Sequence, residues 1–176
     1  AAPVSSVATE TKKSYRILII DDDDGFRSLT KEALEGVGYI LLEAASGAQA
    51  LDILCNEELP DLVLLDCLMP EMDGFEVCRR IKTMNGVSQL PVMMITGLDD
   101  MSSIDKAYEC GASSFVSKPI NFNALFHRIR FQIRSARNRS ELNESRERLI
   151  SLQRIAGLGY WRWDAEKDEF DASDQL

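Results

Sequence analysis

Four short apolar runs, each ending at a polar residue, constrain the fold of this 176-residue chain more than any other feature. The first run, Ile17–Ile20, leads directly into four consecutive aspartates, Asp21–Asp24. A continuous apolar run of this length predicts a strand that is buried on both faces, as in a parallel α/β sheet. Open α/β sheets bind their ligands at the carboxyl ends of the strands, so we expect these aspartates at a ligand site.

The four aspartates have two interpretations. Carboxylates crowded at one strand end repel each other and favour a hard cation such as Mg²⁺, which would neutralise them. Alternatively, they form a solvated N-cap for a helix that begins near Gly25, because Asp is a good capping residue. We expect Asp24 to be the N-cap and Asp23 to be exposed, with no ligand role for either.

The other three runs favour the ligand interpretation. They span residues 61–66, 91–96 and 113–117, and Pro70 and Gly74 mark a loop after the first of them. The groups at the ends of these runs are a carboxylate, a hydroxyl and an ammonium: Asp66, Thr96 and Lys118. Such a set can hold a divalent cation and an anionic phosphoryl group together.

Strand and helix signals alternate along residues 15–136, which predicts five βα units. A second strand is expected at Tyr39–Glu43, and Gly36 and Gly38 end the helix before it. Further helices are expected at Gly47–Asn56, Phe75–Met84, near Met101–Cys110, and from Asn121, which is the expected N-cap of the last helix.

The signature residues occur in the order and at the spacing of a known family. They are Asp21 and Asp22, Asp66 with Met69–Pro70 and Asp73–Gly74, Thr96, and Lys118–Pro119. In this respect the chain resembles the response-regulator receiver domain of two-component signalling, over residues 15–136. The resemblance implies a flavodoxin-like, doubly wound sheet of five parallel strands in the order 2-1-3-4-5, with an extended C-terminal helix.

The resemblance also implies roles for the site residues. Asp66 would accept a phosphoryl group from a phosphohistidine of a sensor histidine kinase or phosphotransfer protein. Lys118 and Thr96 would contact the phosphoryl oxygens, and the Lys118–Pro119 peptide bond would be cis. Phe115 stands at the position of the switch aromatic, although without the resemblance its pattern favours an ordinary core aromatic.

A bound Mg²⁺ (or Mn²⁺) is a further implication of the resemblance. Asp22, Asp66 and the backbone carbonyl of Leu68 would ligate the cation directly, whereas Asp21 would act through a bound water. Mg²⁺ keeps several waters and takes few carboxylates, which fits this arrangement.

Composition narrows the classes of partner. The net charge of −9 argues against direct nucleic-acid binding through the receiver region. No apolar run is long enough to span a membrane, so we expect a cytoplasmic protein. The four cysteines lack the spacing of a zinc site and are expected to be reduced thiols; Cys67, beside Asp66, is the candidate for redox sensitivity. Residues 1–14 are expected to be an N-terminal tail.

The composition changes after the receiver region. Residues 137–155 predict a helical linker, and a candidate coiled-coil seam is formed by Leu142, Ser145, Leu149, Leu152 and Ala156. The alternative is a solvated helix with one apolar edge. Residues 156–176, with the segment Tyr160–Asp164, resemble the truncated start of a PAS domain; the alternative is an isolated aromatic strand.

Two functions from different classes fit these residues. The first is a phosphorylation-controlled receiver, itself not an enzyme, that controls a PAS-linked output such as cyclic-di-GMP synthesis or hydrolysis, or a kinase. The second is a phosphohydrolase that forms an aspartyl phosphate. Such enzymes place a general acid two residues after the nucleophile, where this chain has Leu68. A leucine cannot transfer a proton, so we favour the receiver.

The leucine seam yields a first prediction. If the linker helix forms a parallel coiled coil, the complete chain is a dimer and a chain that ends at Ala136 is a monomer. Light scattering of both proteins at equal concentration, with and without beryllofluoride, provides the comparison. Monomers under all conditions would mean that the leucines form only an apolar helix edge.

Overall fold

The computed structural model describes residues 14–97, 105–106, 108–155, 161–164 and 169–172. Two compact units divide the chain, one ending at Ile133 and the other beginning at Arg134. The expected N-terminal tail, except Ser14, lies outside the described residues, as do much of the helix expected near Met101–Cys110 and most of residues 156–176. Of that segment, residues 105, 106 and 108–110 are described; Cys110 lies in a turn and the other four are helical.

A five-stranded parallel sheet forms the first unit, in the order β2-β1-β3-β4-β5. Its strands are β1 (Arg16–Ile20), β2 (Ile40–Ala44), β3 (Leu62–Asp66), β4 (Val92–Thr96) and β5 (Ser114–Ser117). The helices are α1 (Asp24–Glu35), α2 (Gly47–Asn56), α3 (Gly74–Thr83) and the C-terminal helix (Phe122–Ile155). The predicted fold class and strand order are therefore confirmed.

Apolar clusters cover both faces of the sheet, as the continuous runs require. Ile17 and Ile19 point to one face, where they join the cluster that includes α1 and the C-terminal helix. Leu18 and Ile20 point to the other face, which packs on α2 and α3. Successive side chains of a strand alternate between faces, so a central strand must be apolar at every position.

Strand register brings the polar strand ends together. Ile20 pairs with Leu65, so the residues that follow them, Asp21 and Asp66, are neighbours at the carboxyl edge of the sheet. Thr96 ends β4 and pairs with Ser117, after which Lys118 leaves β5. Since all five strands are parallel, every one of these groups lies at the same edge.

The start of α1 differs from the sequence prediction. Asp23, rather than Asp24, is the N-cap: its Oδ1 accepts a hydrogen bond of 3.1 Å from the Phe26 amide, and Asp24 is the first helical residue. The reason is local, because Asp21 Oδ1 accepts the Asp23 amide at 2.9 Å and the Asp23 backbone is extended, as a cap requires.

Other boundaries move by a single residue. The second strand begins at Ile40 instead of Tyr39, and β5 begins at Ser114 instead of Ser113. The third helix spans Gly74–Thr83 because the Asp73 side chain caps it by accepting the Glu76 amide. The second helix matches its predicted bounds, and Asn121 caps the last helix through Ala124, as predicted.

The second unit contains part of the C-terminal helix and a two-stranded antiparallel sheet. Its strands are β6 (Trp161–Asp164) and β7 (Glu169–Ala172), with Trp163 opposite Phe170. The predicted aromatic strand is therefore present. Leu142, Leu149 and Leu152 of the seam are more than half exposed within the chain. No helix in the described ranges is long and apolar enough to cross a membrane.

The capping assignment leads to a stability prediction. Asp23→Ala should lower the free energy of unfolding by about 1 kcal/mol relative to Asp23→Asn, since Asn caps a helix as well as Asp does. Both variants remove the same charge, so their difference isolates the cap in urea denaturation. The matched pair Asp24→Ala and Asp24→Asn should differ by much less. A larger difference at position 24 would indicate that Asp24 is the N-cap, as predicted from the sequence.

Candidate functional site

Two carboxylates are buried side by side at the carboxyl edge of the sheet. Asp21 is 2 % exposed and Asp66 is 5 % exposed. Asp66 Oδ2 accepts the Leu68 amide at 2.8 Å, which fixes the orientation of its carboxylate. Asp22, by contrast, is exposed. The arrangement follows from the fold, because β1 and β3 are the two central neighbours in which buried runs end in aspartate.

Lys118 bridges these two carboxylates. Its Nζ donates to Asp66 Oδ1 at 2.7 Å and to Asp21 Oδ2 at 3.1 Å. The peptide bond between Lys118 and Pro119 is cis. Two buried negative charges against one positive charge leave the cluster with an excess of negative charge, which favours a further cation.

The pKa values of these groups reflect the same balance. Burial raises the pKa of Asp21, and the charge of Asp66 raises it further, while the Asp23 amide and Lys118 oppose the change. Burial on its own lowers the pKa of Lys118. Its hydrogen bonds to Asp66 and Asp21 outweigh that effect and leave the pKa above its ordinary value, so the lysine remains charged at neutral pH.

Thr96 and Cys67 lie beside the Asp66 carboxylate. Both are buried, at 4 % and 2 % exposure, and their side chains are hydrogen-bonded to each other. Burial raises the pKa of the Cys67 thiol to about 12. A thiol that is not ionised is a poor nucleophile towards oxidants, so this environment does not favour the redox sensitivity considered for Cys67.

Phe115 lies on β5, the edge strand, and its side chain packs against the cluster on the α2 and α3 face of the sheet. Its ring is partly buried and meets the Tyr108 ring edge-on, with centroids 6.0 Å apart. Its backbone carbonyl accepts a hydrogen bond of 2.7 Å from Arg128 Nη1. The neighbouring Ser113 carbonyl accepts one from Gln132. The C-terminal helix is thus bonded to the strand that carries Phe115.

Sequence reasoning did not foresee three of the side chains around the site. Arg27 donates to the Asp21 carbonyl at 2.7 Å, Phe26 places its ring over Lys118, and Arg128 reaches Phe115. Phe26 lies one helical turn before Thr30 and two turns before Leu34, the buried residues of α1. Its contact with a lysine so distant in sequence carries no sequence signal, because it depends on how the helix packs.

The oxygen atoms of the site are compatible with a bound metal ion, although side chains alone do not supply all of its ligands. Within the ranges that the structure describes, no group of three or more His, Cys, Asp and Glu side chains is arranged to hold a metal ion. Asp21 and Asp66 offer buried carboxylate oxygens with uncompensated charge, and Mg²⁺ accepts one or two carboxylates with waters and carbonyls as its remaining ligands. The residues therefore fit Mg²⁺.

The sheet order and the buried acid–lysine cluster define a flavodoxin-like α/β domain whose polar edge joins two buried carboxylates to one lysine. The family model for the response regulator receiver domain matches residues 17–130. The chain therefore belongs to this family and contains the receiver domain of a two-component response regulator. Members of the family accept a phosphoryl group from a histidine kinase.

Individual relatives agree with this assignment. The chain is 38 % identical over 124 residues to the transcriptional regulatory protein AfsQ1 of Streptomyces coelicolor, covering 70 % of this chain and 53 % of that protein. It is 37 % identical over 142 residues to the response regulator PleD of Caulobacter vibrioides, covering 81 % of this chain and 30 % of PleD. Alignments with the first relatives thus span about half of their length.

Solved structures give the same result for the fold. The signal receiver domain of a signal transduction histidine kinase from Syntrophus aciditrophicus superposes with a TM-score of 0.65 at 32 % identity, covering 69 % of this chain and 92 % of that one. A CheY-like receiver domain protein from Methanospirillum hungatei gives a TM-score of 0.67 at 28 % identity, covering 72 % and 99 %.

The close packing behind Asp66 generates a prediction. A Cβ on Gly74 would lie 2.1 Å from the Asp66 carbonyl oxygen and 3.0 Å from Cys67 Cα. Gly74→Ala should therefore displace the loop after β3 and destabilise the fold by about 1–3 kcal/mol, measured by urea denaturation. Gly97→Ala is the control, since no described atom lies within 4 Å of its added Cβ. Equal stability of the two variants would contradict the packing described.

Proposed function

We propose that this chain is a phosphoacceptor receiver module in which Asp66 is the residue that accepts the phosphoryl group. The observation that carries the proposal is the contact of Lys118 Nζ with Asp66 Oδ1 at 2.7 Å, at the buried end of a central strand. An ammonium group in this position stabilises the carboxylate before reaction and the phosphoryl oxygens afterwards.

The proposed reaction is a transfer from a phosphohistidine of a sensor kinase or phosphotransfer protein. A carboxylate oxygen of Asp66 forms a bond to phosphorus while the phosphorus–nitrogen bond to the donor imidazole breaks. The bonding electrons leave with that nitrogen, and Asp66 becomes an acyl phosphate. The Leu68 amide, which donates to Asp66 Oδ2 at 2.8 Å, orients the carboxylate for this step.

Asp21, Asp22, Asp66 and the backbone carbonyl of Leu68 are the groups we propose to hold Mg²⁺ or Mn²⁺. When bound, the cation supplies positive charge that offsets the repulsion between the incoming phosphoryl group and the acidic cluster. The buried carboxylates support this assignment, because one lysine leaves their charge incompletely balanced. Asp22 is exposed and remains available to a cation at the surface of the site.

Thr96 and Phe115 are the proposed switch residues. The Thr96 hydroxyl would bond a phosphoryl oxygen, and Phe115 would move inward after it. The hydrogen bonds from Arg128 and Gln132 to the β5 backbone support the C-terminal helix as the route by which this change leaves the domain. A rearrangement of β5 would alter those bonds directly.

We propose the following domain organisation: tail 1–14, receiver 15–136, helical linker 137–155, and the start of a PAS domain at 156–176. The exposed Leu142, Leu149 and Leu152 support a parallel dimer through the linker. The proposed output is PAS-linked cyclic-di-GMP synthesis or hydrolysis, or a kinase. AfsQ1 is named a transcriptional regulatory protein, so DNA binding is the second candidate output. Assays of the complete protein for cyclic-di-GMP turnover, kinase activity and DNA binding would distinguish them.

The experiment that tests the acceptor assignment is intact-mass analysis after incubation with acetyl phosphate and Mg²⁺. We expect the wild-type protein to gain one phosphoryl group and Asp66→Asn to gain none, because the amide cannot form the acyl phosphate. Chelation of Mg²⁺ should abolish the mass increase in the wild type.

Asp61→Asn is the matched control, because Asp61 flanks the same strand but at its amino end, where its carboxylate accepts the Arg16 amide. That variant should be phosphorylated as fast as the wild type. Equal phosphate incorporation in wild type and Asp66→Asn would overturn the assignment of Asp66.

A further inference from the structure

The Phe26 ring lies over the ammonium group of Lys118. Lys118 Nζ is 4.3 Å from the centre of that ring, and it also donates to Asp66 and Asp21. The lysine side chain is 30 % exposed, so it has room to turn towards water. Among the described residues, the aromatic face therefore covers a cation that two carboxylates also hold.

The cap of α1 determines where this ring lies. Asp21 Oδ1 accepts the Asp23 amide, and Asp23 Oδ1 accepts the Phe26 amide, so the backbone of Phe26 is tied to the acidic cluster. The Phe26 ring then meets Lys118, which returns to Asp21. Each of these four residues thus contacts the next, and the last contacts the first. Asp23, which is exposed, in this way orients the Phe26 side chain towards Lys118.

An aromatic face attracts an ammonium group without occupying the hydrogen-bond donors of that ammonium. The ring carries negative potential on its face, and the attraction increases when water is excluded. An ammonium has three donors, so two remain on the carboxylates while the ring limits the motion of the flexible lysine stem. Leucine at position 26 would retain apolar packing but would lose the electrostatic attraction.

We propose that Phe26 is a positioning residue that holds the Lys118 ammonium against Asp66, ready for the phosphoryl group. The proposal rests on the proposed phosphorylation of Asp66. Correct placement of a charged group lowers the barrier to transfer more than it strengthens donor binding, because the charge contact tightens as the phosphoryl group moves. The effect of Phe26 should therefore fall on the maximal rate rather than on KM.

The first test measures the rate of Asp66 phosphorylation against acetyl phosphate concentration at saturating Mg²⁺. Phe26→Leu should lower the maximal rate about tenfold with little change in KM, whereas Phe26→Tyr, which retains an aromatic face, should restore most of the rate. Phe126→Leu is the control, because Phe126 packs on the same apolar cluster but its ring contacts Phe122. It should retain the wild-type rate.

The second test observes the contact itself by NMR, without phosphorylation. A ring above the lysine shifts the Lys118 ε-methylene protons upfield, and Phe26→Leu should remove that shift while Phe126→Leu retains it. An unshifted Lys118 in the wild type would overturn the proposal, as would a Phe26→Leu rate equal to that of the wild type. Equal rate losses in Phe26→Leu and Phe126→Leu would also overturn it, because they would indicate packing alone.

The experiments distinguish failure of the proposed function from failure of the positioning role alone. A wild-type protein that gains no phosphoryl group contradicts both the acceptor assignment and the positioning role. A wild-type protein that is phosphorylated on Asp66, with a Phe26→Leu variant of unchanged rate, contradicts the positioning role alone.

Discussion

Lys118 reaches two carboxylates that the sheet holds out of water, and the rest of the site is arranged around that contact. Burying Asp21 and Asp66 side by side is unfavourable because their charges repel and neither is well solvated. The shared ammonium offsets much of this repulsion. The remaining negative charge makes the site receptive to a cation, and the charged lysine makes it receptive to an anion. Both properties agree with the phosphoacceptor role proposed for Asp66.

A parallel sheet is what makes this contact achievable. Its strands end at one edge, so residues from β1, β3 and the end of β5 converge although they are far apart in sequence. The apolar clusters on the two faces hold the central strands rigidly, and the polar groups extend beyond the end of that core. A site on such strands keeps its geometry better than one supported by loops alone.

The same architecture links the site to the C-terminal helix. β5 is an edge strand. Arg128 donates a hydrogen bond to its Phe115 carbonyl, and Gln132 donates one to the Ser113 carbonyl just before the strand. These bonds protect the edge from pairing with another chain and also tie the helix to the strand beside Lys118. The edge of the sheet and its attachment to the helix therefore depend on the same two side chains.

The amino-acid pattern by itself determined the βα order, the buried runs and the polar residues at their ends. These features are local: a strand apolar at every position must be central, and a group that follows it must lie at the sheet edge. The choice of Asp23 as the cap is also local, because the Asp21 carboxylate accepts the Asp23 amide two residues away. Tertiary structure decided the contact between Phe26 and Lys118, in which α1 meets the residue that follows β5. That contact joins residues distant in sequence, so only the packing of the folded chain specifies it.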